Sequence, residues 1–291
     1  MNSTNLIKLI PLLSVLSLLS ACSQNKASDQ EALAGNIIGG VESTASFQKE
    51  NGVVALLTFS DEDGNATKPE ELDVSICTGN LVARRVILTA RHCVAPGTKG
   101  ILATFGTNIN AQNVGMIPVV DLEANSEVDM VLLVLEADAP AEFKLTKLPG
   151  ANSPHVGSKL TLAGYGVTDP IVNQIGLDPI TGEVAITPMP GERSSGVLHQ
   201  VSNIEVLAMS EGRKEFAVSG ATAGACHGDS GGPAYLVQPN GNHLLVGITS
   251  RTTSPIGNCD APTIYGTVAT QAAWITAGLE KIAAKQATAQ P

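Results

Sequence analysis

The chain has 291 residues, with 17 basic and 27 acidic side chains, for a net charge of −10. Only 15% of residues are charged and 43% are hydrophobic, which excludes a disordered chain, and no cluster of Lys or Arg invites nucleic acid as a partner. Aromatic residues are 3% of the total, so any core must rest on Val, Ile, Leu and Ala.

The first element is an apolar stretch, Leu6–Leu19, with Lys8 near its start. It is shorter than the roughly 20 residues a spanning helix needs and has the look of a secretory leader. Its end, Leu19-Ser20-Ala21-Cys22, resembles the lipobox of bacterial lipoproteins, which implies a signal peptide over 1–21 and a lipid on Cys22. Residues 22–36 are small and polar and read as a tether or propeptide. Ser23 after the cysteine favours the outer membrane or cell surface over the inner membrane.

From Ile37 to the end, short β-branched runs recur: Val53–Phe59, Leu81–Thr89, Val131–Leu135, Lys159–Ala163, Val201–Leu207 and Leu244–Thr249. Turn signals separate them, such as Asp63-Gly64, Pro149-Gly150 and Asn240-Gly241, and the pattern argues for an all-β sandwich or a pair of barrels. The acidic run Asp61–Asn65 reads as a solvated hairpin tip, since it lacks the spacing of a calcium loop. A long loop is expected over Thr168–Ser195, and a boundary near 150–157 would divide the chain into similar halves. One helix is expected near the end, over 270–284, with Ala273, Trp274, Ala277 and Ile282 on its apolar face.

The five cysteines are Cys22, Cys77, Cys93, Cys226 and Cys259. If Cys22 carries lipid, four remain for two disulfides in an oxidising compartment, and the sequence leaves three pairings open. No His/Cys cluster has metal-ligand spacing, so no metal or other cofactor is expected.

The chemistry concentrates in Cys226-His227-Gly228-Asp229-Ser230-Gly231-Gly232-Pro233. Glycines around a serine allow a tight turn that exposes the hydroxyl and brings N–H groups near a reacting carbonyl. Such a hydroxyl needs a base, and His92 at the end of an apolar run is the candidate; Asp129, entering the buried run Met130–Leu133, would orient the imidazole. Gly228-Asp229-Ser230-Gly231-Gly232 also fits the G-x-S-x-G of α/β-hydrolases, but their order is Ser, acid, His. The only later histidine is His243, and no acid lies between it and Ser230. The subtilisin order, with Asp73 ahead of His92, belongs to a fold of many helices that this sequence lacks, which leaves the order His92, Asp129, Ser230.

These residues resemble the trypsin/chymotrypsin-like serine proteases, whose triad serves as the general template for this mechanism. Ile37-Ile38-Gly39-Gly40 is similar to the family's new N-terminus after zymogen cleavage, Leu162–Gly166 to its G-W-G segment with Tyr165 for Trp, and Gly247–Ser250 to the strand that pairs with substrate. The resemblance implies two perpendicular six-stranded antiparallel β-barrels, about 37–150 and 155–268, followed by a helix. It implies disulfides Cys77–Cys93 and Cys226–Cys259, an oxyanion hole from the N–H groups of Gly228 and Ser230, and a pairing of Asp229 with the freed amine of Ile37. It places the primary pocket's floor at Gly224, Ser250 within the pocket and the walls at Thr252 and Thr263, whose side chains favour small residues before the cut, as in elastases.

The implied activity is a serine endopeptidase acting on polypeptides, made as a zymogen, and the bond after Asn36 calls either for an activating protease that is not trypsin-like or for removal of the propeptide by another route. Cutting there would release the enzyme from a lipid anchor at Cys22. The alternative is an inactive homologue serving as an envelope binding module. His155, His199, His227 and His243 read as surface or loop residues, His227 with a place near the substrate cleft.

Overall fold

The computed structural model describes residues 37–61, 64–68, 71–168, 173–177, 184–188, 195–221 and 223–288, with backbone alone for 173–177 and 184–188. The residues expected to form a leader and tether, Cys22 among them, lie outside the described residues. Among the described residues no helix is long and apolar enough to cross a membrane.

The first barrel is built from β2 (Val53–Ser60), β3 (Asp73–Ala83), β4 (Val86–Thr89), β5 (Thr98–Phe105), β6 (Gly115–Ala124) and β7 (Val131–Leu135). Its order is β2-β3-β4-β7-β6-β5, closed by pairing of β2 with β5. The second uses β8 (Lys159–Gly164), then, beyond the hairpin of β9 (Asn173–Leu177) and β10 (Val184–Pro188), β11 (His199–Met209), β12 (Glu215–Val218), β13 (Pro233–Val237), β14 (His243–Thr252) and β15 (Thr263–Thr267). Its order is β11-β12-β15-β14-β13-β8, and β8 pairing with β11 closes it. The fold is therefore the expected pair of six-stranded antiparallel barrels. Closure removes the unpaired edges that an open sheet of such apolar strands would expose.

Several local expectations change. The run Leu81–Thr89 is a hairpin, with the chain reversing at Arg84-Arg85 between β3 and β4. Both strands are buried on both faces there, so apolar residues crowd both sides of the Arg84-Arg85 turn and the two strands read as one. The Thr168–Ser195 segment contains β9 paired with β10 and is more than a loop. Residues Val41–Glu42 (β1) pair with β11, so the segment from Ile37 joins the second barrel, where the first had been expected.

A helix not foreseen, α1 (Ala45–Asn51), is capped by Thr44, whose hydroxyl accepts from Phe47 N–H, and is stopped by Gly52 at φ 64°. Asp61 is not a solvated tip residue: its nearly buried carboxylate pairs with Lys99 and accepts from Ala66 N–H.

The final helix, α2 (Ala272–Thr288), follows a 3-10 turn at Ala269–Gln271. Its buried stripe is Ile275, Gly278 and Ile282, while Ala273 and Ala277 face solvent. The helix lies on the first barrel, with Gly278 against Leu132 and the pairs Lys281–Glu123 and Lys285–Asp121 at its rim. Ile275 and Ile282 belong to one apolar core with the first barrel and with Tyr165, Tyr235 and Ile248 of the second. The chain thus returns from the second barrel to clasp the first, fixing the seam between them.

Candidate active site

Three elements meet at that seam. His92 sits in a 3-10 turn, Arg91–Cys93, straight after β4. Asp129 enters β7 between buried Val128 and Met130. Ser230 lies in the tight turn before β13. The His92 ring places Nδ1 2.7 Å from Asp129 Oδ2 and Nε2 2.8 Å from Ser230 Oγ, while its backbone N–H donates to Asp129 Oδ1 at 2.9 Å. With Nδ1–H donating to the carboxylate, Nε2 is left as acceptor for the serine hydroxyl proton.

Asp129 has a further partner. Ser250 Oγ donates to its Oδ2 at 2.7 Å. Burial pushes the Asp129 carboxyl up, but donation from the His92 ring, the Ser250 hydroxyl and the His92 N–H outweighs this and holds it at about 2. The turn carrying Asp129 is shaped by Asn125, whose Oδ1 accepts from Glu127 and Val128 N–H and whose amide donates to Gln271 at the start of the C-terminal helical region. Arg91, next to His92, donates to the Asn125 carbonyl at 2.7 Å and joins the two loops.

The serine loop is held from both barrels. From the second, two consecutive N–H groups reach into it, Gly166 to Asp229 Oδ1 at 2.8 Å and Val167 to the His227 carbonyl at 2.9 Å, while the neighbouring Tyr165 N–H donates to Thr78 Oγ1 at 3.1 Å. From β3 of the first barrel, Thr78 N–H donates to the Ser230 carbonyl at 2.8 Å and Asn80 Nδ2 to the Gly231 carbonyl at 2.9 Å. Neither the Gly228 nor the Ser230 N–H donates to any group among the described residues. Gly228 sits at φ 97°, which only glycine adopts without strain, and a Cβ there would meet Gly166 Cα at 2.7 Å.

Asp229 is fully buried, and its second oxygen accepts from Cys226 N–H at 2.8 Å. Burial drives its carboxyl up to about 7 despite these two donors, and no cation faces it among the described residues. Ile37 is fully buried as well, packed with Leu160, Val201 and Ala225 of the second barrel. The pairing expected of Asp229 is with an Ile37 amine freed by cleavage; with the 36–37 peptide bond intact, Asp229 accepts from backbone N–H groups.

Disulfides join Cys77 to Cys93 and Cys226 to Cys259. A cavity of about 250 Å³ opens beside His92 and Ser230; Ala225, Ser250, Thr252, Thr263 and the Cys226–Cys259 bridge line it. Gly224 does not line it: it is buried behind Ala225, bridged to Ile38. The Thr252 hydroxyl donates to the Asn258 carbonyl at 2.9 Å, whereas the Thr263 hydroxyl has no partner among the described residues. His227 stands at the cavity mouth with Nε2 3.2 Å from the Gly257 carbonyl. The other histidines lie elsewhere, and two are not surface residues. His199 is buried in β11, and His243 packs edge-on against Phe47 and Tyr235.

Sequence reasoning missed Thr78, Asn80, Asn125 and the link from Ser250 to Asp129. Arg251 beside Ser250 makes a two-point pair with Glu215, at 2.6 and 2.8 Å, and this too had no sequence signal. Among the described residues no group of three or more His, Cys, Asp or Glu could hold a metal ion.

Residues 60–275 match the Trypsin family model. Relatives similar to this chain include snake venom serine proteinase 14 of Crotalus adamanteus, 27% identical over 55% of this chain and 62% of that protein. Kallikrein 1-related peptidase b22 of Mus musculus is 26% identical over 70% of this chain and 80% of its own. Serine protease SP24D of Anopheles gambiae is 26% identical over 68% and 70%. The chain thus spans less than two thirds of the venom proteinase. Among solved structures, neuropsin, a serine protease expressed in the limbic system of mouse brain, superposes with a TM-score of 0.56. It is 22% identical, covers 82% of this chain and 98% of its own, and shares the fold.

Proposed function

The chain belongs to the trypsin family, and from that premise we propose that it is a serine endopeptidase acting through His92, Asp129 and Ser230. The observation that carries this reading is the 2.8 Å approach of Ser230 Oγ to His92 Nε2, on a ring whose other nitrogen is held by Asp129. His92 takes the hydroxyl proton as Oγ bonds to a peptide carbonyl carbon, then gives it to the departing amine as the C–N bond breaks. Water, deprotonated by the same imidazole, hydrolyses the acyl-enzyme. The undonated N–H groups of Gly228 and Ser230 receive the oxyanion, each worth about 2.7–4 kcal/mol. Asp129 remains ionised and stabilises the imidazolium. This connected set speaks against an inactive homologue that only binds envelope proteins.

The cavity beside Ser230, narrowed by Thr252 and Thr263, favours Ala, Val or Thr before the scissile bond. Activation proceeds by cleavage after Asn36, and the new amine of Ile37 supplies the cation that buried Asp229 lacks. The two disulfides suit an oxidising compartment outside the cytoplasm, and the leader and Cys22 make the precursor a lipid-held envelope protein that activation releases. The test is labelling by a fluorophosphonate together with hydrolysis of Ala- and Val-terminated chromogenic peptides, both of which S230A must abolish. Wild-type protein with a native Ile37 N-terminus that neither labels nor cleaves peptides would overturn the proposal. Mass spectrometry of the precursor and the active form tests whether the lipid is present on the first and absent from the second.

A further inference from the structure

An oxyanion hole needs two N–H groups aimed into the cleft, and each is aimed by whatever holds the carbonyl of its own peptide plane. The Gly228 N–H shares a plane with the His227 carbonyl, which Val167 N–H holds at 2.9 Å. The Ser230 N–H shares one with the Asp229 carbonyl, which Gly232 N–H holds at 2.8 Å. The following carbonyls, those of Gly228 and Ser230 themselves, both go to one residue of the opposite barrel. Thr78 Oγ1 donates to the Gly228 carbonyl at 3.0 Å, and Thr78 N–H donates to the Ser230 carbonyl at 2.8 Å.

The hydroxyl has a second duty, since it accepts from Tyr165 N–H at 3.1 Å. A backbone N–H only donates and a carbonyl only accepts, so a group between them must do both, and a hydroxyl does. Thr78 is fully buried, so water has no access to replace it. Gly228 most needs such an anchor, because glycine at φ 97° has no Cβ to restrict rotation of its neighbouring peptides.

We propose that Thr78 is a positioning residue for the reaction: its hydroxyl, reaching across from the first barrel, fixes Gly228 so that the Gly228 N–H meets the oxyanion. The inference rests on the endopeptidase reading above. Thr78→Val keeps the branched shape but leaves Tyr165 N–H and the Gly228 carbonyl unpaired, and Thr78→Ser keeps the hydroxyl. Because the hole acts on the transition state more than on bound substrate, the loss falls on kcat.

The experiment uses activated enzyme, with kcat normalised to the fraction of sites titrated by a fluorophosphonate. Thr78→Val is expected to lose roughly 10- to 100-fold in kcat with KM within about twofold, since removing a whole oxyanion donor costs about 100- to 1000-fold. Affinity for a peptide boronic acid should weaken in parallel, and Thr78→Ser should recover to within about threefold. Thr78→Ala, which adds no apolar bulk, gives the same comparison if the valine variant does not fold. Unchanged kcat, a loss confined to KM, or undiminished boronic acid affinity would each overturn the role of Thr78. Wild-type enzyme that never labels would instead sink the endopeptidase reading itself.

Discussion

Gly166 and Asp229 fit so closely that a side chain on the first would displace the second: the Gly166 N–H donates to Oδ1 at 2.8 Å, and a Cβ on Gly166 would lie 2.5 Å from the carboxyl carbon. Asp229 is bonded directly to Ser230, so any shift is passed to the nucleophile. Gly166→Ala is expected to cost about 1–3 kcal/mol of stability, as overpacking of a tight interior does. Activity at temperatures where the variant is folded should fall by more than tenfold. Denaturant midpoints and turnover per titrated site measure the two effects separately, and normal turnover in a folded variant would contradict the coupling.

The same carboxyl makes the uncut chain sensitive to pH. Its folded value of about 7 lies above the ordinary carboxylate value of 3.8, because burial without a cation disfavours the charged form. The folded chain therefore keeps a proton that the unfolded chain releases between about pH 4 and 7. The stabilisation is complete below that window and is lost as pH rises to its upper end, on the order of 4 kcal/mol in all. Uncut S230A protein should lose stability over this range, and adding D229N should remove that component. If cleavage frees the Ile37 amine to pair with the charged form, as proposed, the decline should vanish. Urea midpoints at several pH values decide; identical slopes with and without Asp229 would rule the account out.

Asp129 is held at about 2, so it stays ionised across the working range and cannot account for a loss of activity on mild acidification. D129N should lower kcat about 10⁴-fold, because an amide that donates to Nδ1 leaves the proton on Nε2, the wrong tautomer to accept from Ser230. Ser250→Ala removes only one donor to Oδ2, so a loss of about tenfold in kcat with little change in KM is expected. An S250A enzyme altered only in KM would return Ser250 to a purely pocket-lining role.

How much of this was legible depended on whether a signal was local. Val131–Leu135 announces a buried strand by its composition, and Asn240-Gly241 announces the turn between β13 and β14. The glycines about Ser230 mark a tight exposed turn wherever they occur. Thr78 and Asn80 offered nothing comparable: both are ordinary polar residues within β3, and each finds its partner about 150 positions away. Asn125 reads as an ordinary turn residue until its contact with Gln271 is seen. The α1 caps, Thr44 and Gly52, were readable, but seven residues carry too little apolar periodicity to stand out. On α2 the sequence points to Ile282 and Trp274, which do meet the core, but also to Ala273 and Ala277, which do not, because an alanine-rich helix hardly distinguishes its sides and the buried Gly278 carries no hydrophobic signal.

The last prediction concerns selectivity, where Thr263 is a cleaner probe than Thr252. The Thr252 hydroxyl accepts from Ser254 N–H at 3.1 Å and donates to the Asn258 carbonyl, so its removal would loosen the loop behind the pocket. Thr263 is buried on β15, its hydroxyl unpartnered among the described residues, and it narrows the cavity by bulk alone. Thr263→Val preserves that bulk and removes an unsatisfied oxygen, so stability should hold or rise by up to about 1 kcal/mol with the preference for Ala and Val unchanged. Thr263→Gly should admit larger side chains, moving the preference toward Leu and Phe by about 10-fold or more, as one or two methylene equivalents of pocket space allow. Profiling both variants on a peptide panel separates bulk from hydroxyl chemistry. If the valine variant changes selectivity while the glycine variant does not, the hydroxyl governs the choice and the steric account of the pocket is wrong.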